Sequence, residues 1–301
     1  MIVIKNFDGV DFMRINTNIA SINIYKEYSK NLVKQSSSLE RISSGIKINS
    51  AKEDPNGLAQ SERFKMQIRG LQMAATNSQD GVSMLQTAEG GLDGITSSLQ
   101  RLRELLVQAG GVTTDSDKAD IQSEINQMIG GANDMANNTD FNGVKLLNAA
   151  ANPVVNPSVV GKSTGTIEMV TGANVGEKAD IPKYDLTSDG LGLKSGDTVN
   201  VNVNDVAGSL DLVDNALKAV VGARSKFGAL ENRFKSSYDS TIAISDKTQS
   251  AQSGIADTDM AGEMIEYSKD SILIQAGTAM MVQSNQLPQD ALKVLENIRS
   301  R

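Results

Sequence analysis

Between Phe64 and Ala109 apolar residues return at steps of three and four: Phe64, Ile68, Leu71, Ala75, Val82, Leu85, Ala88, Leu92, Ile95, Leu99, Leu102, Leu106 and Ala109, with Ser78 in the same register. The mean step is about 3.5 residues, the period of a coiled-coil seam. A helix over this stretch would be ~69 Å long at ~1.5 Å per residue, which predicts a rod. The pattern slips at Leu85–Ala88–Leu92, beside Gly90, Gly91 and Gly94.

Upstream, Ile15, Ile19, Ile22, Leu32, Ser36, Leu39, Ile42 and Ile46 keep a similar but weaker spacing. A break follows, bracketed by Ser43-Ser44-Gly45 and Asn56-Gly57 and containing Pro55. Ile121, Ile125, Met128, Ala132 and Met135 predict a shorter helix, with Asp115, Asp117 and Asp120 placed to cap its start. Phe141-Asn142-Gly143-Val144 carries an Asn-Gly turn. Residues 149–205 change character. Three of the five prolines (Pro153, Pro157, Pro182) fall there, and Thr166–Val170 and Thr198–Val203 read as strands, the latter alternating through Val199, Val201 and Val203.

Helical spacing resumes with Leu210, Val213, Leu217, Val220, Phe227, Phe234 and Tyr238. Asp257-Thr258-Asp259 can cap a last helix carrying Met264, Ile272, Ala276, Ala279 and Val282, followed by Pro288, Ala291, Leu292 and Leu295. Seams at both ends of a chain pair only if the chain doubles back, so the expected architecture is an antiparallel helical bundle with both termini at one tip. The terminal seams are narrow and under-buried for a single chain.

Composition narrows the chemistry. The 301 residues include no His and no Cys, so disulfides, thiolate nucleophiles, Cys/His zinc sites and imidazole catalysis are all excluded. Aromatic residues are only 4%, sparse for a globular core of this length. The net charge of −7 argues against nucleic acid or an anionic membrane as partner. The apolar run Ser271–Val282 is short and holds Gln275 and Thr278, and no stretch approaches the ~20 apolar residues of a membrane span. Met1–Phe12 lacks the apolar core of a secretory signal.

Short motifs carry little. Asn156–Ser163 approaches a phosphate loop but begins with Asn and is followed by a strand where a helix is required. Gly161–Gly165 matches a nucleophile elbow, which no histidine can complete, and Ser44–Lys47 matches Ser-x-x-Lys at a helix break. Asn137-Asn138-Thr139 is a glycosylation sequon, and the methionines are adaptable seam contacts. No cofactor is implied.

Longer blocks identify a family. Met13–Ala20, Ser38–Ala51, Asn77–Glu89, Leu99–Gln108, Thr139–Gly143, Ile272–Ala279 and Ser284–Gln289 together resemble bacterial flagellin, covering about residues 13–148 and 206–295 in order. The resemblance implies a mainly α fold: a long antiparallel coiled-coil rod of paired N- and C-terminal helices with a small β-containing central insert. It divides the chain into a terminal inner coiled coil (13–55 with 256–301), a middle helical rod (56–148 with 206–255), a variable surface insert (149–205) and a non-family extension (1–12), with Met13 as the expected start. The segment before the last helix departs from the family, since Gly254 and Ala256 stand where a basic and an acidic residue are usual.

The implied function is a structural, non-enzymatic subunit of the flagellar filament, extracellular and exported unfolded by the flagellar type III apparatus. Its implied partners are further copies of itself, the export apparatus and a secretion chaperone, and the filament cap and hook-junction proteins. Polymerisation is expected along Ile15, Ile19, Ile22, Leu32, Leu39, Ile42, Met264, Ile272, Ala276, Ala279, Leu292 and Leu295, with these helices unprotected in the free subunit. Gln100, Arg101, Leu105 and Glu124 correspond to family contacts for a flagellin-sensing Toll-like receptor, Leu105 being read as exposed and off the seam. A hook–filament junction protein is the alternative. The insert is expected to tolerate replacement.

Overall fold

The computed structural model describes residues 18–111, 114–148, 163–196 and 198–299. Ile15, the 1–12 extension and most of the phosphate-loop-like run lie outside the described residues, as do the side chains of Leu292 and Leu295. In chain order come α1 (Ile19–Ser44), α2 (Pro55–Ala109), α3 (Asp115–Asn138), β1 (Asp140–Phe141), β2 (Val144–Lys145), β3 (Ser163–Val170), β4 (Lys178–Tyr184), β5 (Lys194–Ser195), β6 (Thr198–Val199), α4 (Val206–Ala256) and α5 (Met260–Arg299). The strands pair as three antiparallel two-stranded ribbons, β1 with β2, β3 with β4 and β5 with β6. The fold is thus mainly α with small β elements. It gathers into two units, one of the chain up to Phe64 and from Ser250 onward, the other from Lys65 to Gln249.

In the first unit α1 packs antiparallel against α5. The Asn18 side chain caps α1 by accepting from the Ser21 N–H at 3.1 Å. Its amide nitrogen donates to the Ser284 carbonyl at 2.8 Å, tying the start of α1 to the far part of α5. At the other end Gly45 closes α1 in the left-handed conformation (φ 70°) and its N–H donates to the Arg41 carbonyl. The chain then forms an isolated bridge between Ile46 and Asp257, flanked by Lys47 N–H to Ala256 C=O at 2.7 Å and Thr258 N–H to Gly45 C=O at 3.0 Å. Asp259 starts α5 by accepting from the Ala261 N–H. The helix continues through Pro288, which supplies no N–H to its ladder.

The second unit holds the long seam. Ile68, Leu71, Ala75, Leu85, Ala88, Leu92, Ile95, Leu99, Leu102, Leu106 and Ala109 are all buried, as their spacing predicts. From Leu85 onward they share a core with Ile125 and Ile129 of α3 and Val213, Val220, Phe227 and Phe234 of α4. The slip in the seam coincides with a close approach: a Cβ on Gly91 would collide with Thr139 and Leu147, where the chain leaves α3. Thr114 and Asp117 form a reciprocal capping box at the start of α3. Asn142 (φ 50°) and Gly143 (φ 78°) turn the β1–β2 hairpin with two consecutive positive φ angles.

Two expectations for residues 149–205 are corrected. Thr198–Val203 is a strand only at Thr198–Val199. Beyond it Gln122 takes over the backbone, accepting from the Val203 N–H and donating to the Val201 carbonyl, both at 3.0 Å, while Val201 and Val203 are buried. Nor is this segment confined to the surface. Ala179, Ile181, Tyr184, Leu186, Leu191 and Leu193 all belong to the helical core. Tyr184 meets Phe227 of α4 edge-on at 5.6 Å, and the Leu186 N–H donates to the Leu147 carbonyl at 2.9 Å. The turns between these short elements bring apolar residues to the core that no long periodic run announces.

Candidate interaction surfaces

The α1–α5 pair carries two different stripes. The stripe of α1 turned to α5 runs Ser21, Ile24, Tyr28, Asn31, Gln35, Ser38 and Ile42, all buried or half-buried at alternating steps of three and four. Its counterpart on α5 runs Glu263, Tyr267, Asp270, Ile274, Gly277, Met281, Ser284 and Pro288, with the same steps. Both follow the 3.5-residue period of a coiled-coil seam, yet they are made largely of small and polar groups. Tyr28 lies over Gly277, and Arg41 reaches Glu263 at 3.8 Å and Glu53 at 3.5 Å. Glu53 also accepts from the Asn49 N–H, which chiefly holds its carboxyl below its ordinary pKa of 4.5.

The apolar residues expected to form the terminal seams lie elsewhere. Ile19, Ile22, Leu32 and Leu39 on α1 and Met264, Ile272, Ala276 and Ala279 on α5 are exposed, Ile22 by 54% and Ile272 by 65%. Ile42 alone among the described members of that set is half-buried on the inner stripe. Hydrophobic periodicity therefore located the outward surface and missed the intrachain one, whose signal is the 3–4 recurrence of Ser, Asn, Gln and Gly. A groove of about 360 Å³ joins the two surfaces, lined by Ile24, Tyr28, Asn31, Ala276, Gly277 and Met280. So much exposed apolar surface along two paired helices marks an interaction face.

A second surface lies on α2 and α3. Arg101 is exposed and donates to Glu124 Oε1 from Nη2 at 3.0 Å and from Nε at 3.3 Å, and to Glu104 at 3.2 Å. The bond to Glu124 is the main influence holding its guanidinium in the charged form. Of the four expected contact residues the structure joins Arg101 and Glu124, with Gln100 exposed next to Arg101 in the chain. The fourth, Leu105, is 1% exposed and belongs to the core, which corrects the expectation of an exposed leucine. Leu105 follows Leu102 by three residues and adjoins Leu106, so the apolar face of α2 is wider here than a single-file seam. Along the same unit Arg103 pairs with Asp214 at 3.0 Å, and Arg224 with Glu89 and Asp93 at 3.2 and 2.9 Å, clamping α2 to α4. Among the described residues no three Asp or Glu side chains gather as a metal site would require. No helix among them is long and apolar enough to cross a membrane.

Residues 15–152 match the model of the bacterial flagellin N-terminal helical region, and residues 210–295 match that of the C-terminal helical region. The chain belongs to the bacterial flagellin family. It is 38% identical to the flagellin of Bacillus subtilis and 38% identical to that of Halalkalibacterium halodurans, covering 94% of this flagellin and 100% of each relative. It is 34% identical, over the same shares, to a flagellar filament core protein of Brachyspira hyodysenteriae. A solved structure from Vibrio parahaemolyticus described as a flagellar hook-associated protein superposes with a TM-score of 0.54 at 16% identity, over 68% of this chain and 100% of that one, a likeness of fold alone.

Proposed function

We propose that this flagellin is a structural, non-catalytic subunit that polymerises into the flagellar filament outside the cell and serves swimming motility. The observation that carries the reading is the separation of the two stripes on α1 and α5. The inner stripe closes the pair with small and polar groups interspersed among Ile24, Tyr28, Ile42, Ile274 and Met281, which leaves Ile19, Ile22, Leu32, Leu39, Met264 and Ile272 exposed for neighbouring copies. The same surface presented by every subunit makes a heterologous contact that repeats without closing, which is how an open helix grows. The ends 13–55 and 256–301 form the inner coiled coil of the polymer, and the segments 56–148 and 206–255 its next layer, with apolar residues of 179–203 packed into the core of that layer. Export proceeds through the flagellar type III apparatus with a dedicated chaperone, and the filament cap and hook-junction proteins meet the same terminal helices. High identity to flagellins along nearly the whole chain favours the filament subunit over a hook–filament junction protein. Gln100, Arg101 and Glu124 form the face offered to a flagellin-sensing Toll-like receptor.

Seeded polymerisation followed by electron microscopy tests the reading. Ile22→Asp with Ile272→Asp places two charges on the outward stripe and leaves the inner one intact. Loss of filaments with an unchanged melting transition is the expected result. Filaments as abundant as the parent's would overturn the assignment of that surface.

A further inference from the structure

The inner stripe of α5 contains one group that the pairing itself does not account for. Asp270 is 0% exposed, and neither carboxylate oxygen has a hydrogen-bond partner. The register of the pair locates its surroundings. Tyr28 lies over Gly277 and Arg41 reaches Glu263. Asp270 stands midway between those two α5 positions, and the midpoint of Tyr28 and Arg41 falls at Lys34 and Gln35. Of these, Gln35 is half-buried on the inner stripe and Lys34 is exposed. The other stripe residues of α1 near this level, Asn31 and Ser38, are neutral. On its own helix Lys269 is held by Glu266 at 2.7 Å, and Arg41 is shared between Glu53 and Glu263. Lys269 also feels the charge of Asp270 through space, but among the described residues no cation of either helix makes an ion pair with it.

A carboxylate taken out of water without a hydrogen-bond donor or a paired cation opposes whatever event buries it. That event is the closing of α5 on α1. We propose that Asp270 is a brake on α1–α5 pairing, which raises the subunit concentration needed for assembly. The proposal rests on the polymerisation reading above and adds to it a residue that sets the threshold. The neighbouring stripe positions, Ile274, Gly277 and Met281, suit close helix packing, so the charge at Asp270 is the feature of this stretch that works against it. The device has a use in any polymer that must not form where it is made: pairing is delayed until subunits are concentrated, and the exposed apolar stripes then add the contacts that outweigh the buried charge.

The test uses the full chain and two substitutions. Asp270→Asn keeps the shape and removes the charge, and Asp270→Ala removes charge and hydrogen-bonding capacity together. Seeded critical concentration is measured by sedimentation, and amide exchange is followed in the soluble subunit. Each variant is expected to lower the critical concentration at least ~tenfold, since an unsatisfied buried charged group costs more than a neutral one. Exchange across residues 19–44 should slow in both, and exchange across residues 85–106 should not change. An unaltered or higher critical concentration in Asp270→Asn overturns the brake, as does a gain confined to Asn and absent in Ala, because that pattern belongs to a new amide bond. If the parent itself does not polymerise from seeds, the filament reading falls, a result distinct from parent and variants assembling equally well.

Discussion

Replacing Leu105 with alanine removes a side chain that is 1% exposed from the middle of the α2 face, between Leu102 at 1% and Leu106 at 0%. Buried Leu→Ala changes cost ~2–5 kcal/mol, the spread reflecting how far the surroundings collapse into the space left. Here the flanking leucines are fixed on the same helix and Leu105 lies within the core shared with α3 and α4, so collapse is limited and the upper half, ~3–5 kcal/mol, applies. For a cooperative unit of this size such a loss lowers Tm by ~6–20 °C. Far-UV circular dichroism melts of parent and variant, supported by the shift of the denaturation midpoint at constant m-value, measure it. A variant that melts within a degree or two of the parent would refute the core assignment. The outcome also decides how receptor experiments are designed. A signalling defect in Leu105→Ala reports a weakened core, whereas one in Arg101→Ala reports the surface.

Arg101→Ala should leave the melting transition in place, because its partners Glu104 and Glu124 stay solvated, and should abolish signalling by soluble protein through a flagellin-sensing receptor; full signalling would remove Arg101 from the contact. Ile181→Ala and Leu193→Ala should each cost ~2–5 kcal/mol despite lying in the central segment, read from chemical denaturation, and replacing 156–200 by a linker should lower the melting temperature rather than leave the protein unaffected. Glu53 contributes to the order of the 45–54 loop in its charged form. Its folded pKa is depressed, so that contribution is complete above the ordinary value of 4.5 and fades as pH falls below it. The protection factors of that loop's amides, which correct for the pH dependence of intrinsic exchange, should fall on acidification in the parent and show no such step in Glu53→Gln.

What could be read from the chain followed the strength of its local signals. The α2 seam was legible because one face had to be apolar for a long distance, and the residues so identified are those at the centre of the core. Gly45 and Asn142-Gly143 were legible because turns and helix ends depend on one or two residues with special geometry, whereas the start of α3 was assigned to Asp115, Asp117 and Asp120 and is capped by Thr114 with Asp117. The inner stripe of α1 was not, since Ser21, Asn31, Gln35 and Ser38 register as polar in any hydrophobic pattern, although helix pairing needs only closeness and fit. Leu105 was misjudged because a strict 3.5-residue reading allows one file of leucines, and packing against both α3 and α4 requires a broader face. Val201 and Val203 alternate as a strand would, but the side chain of Gln122 supplies the hydrogen bonds that a neighbouring strand would have made.

The joint between α1 and α5 rests on main-chain atoms. Lys47 donates to Ala256, Thr258 donates to Gly45, and Ile46 pairs with Asp257 without any side chain taking part. Gly254 faces open space and Ala256 is buried, so neither position places a charged side chain at this joint. A connection written in amide groups is indifferent to most of the side chains that carry them, provided none is proline at a donor and position 45, at φ 70°, keeps its glycine. Mutation can therefore change the other side chains here, one residue at a time, without the chain losing its way back from the fourth helix to the fifth.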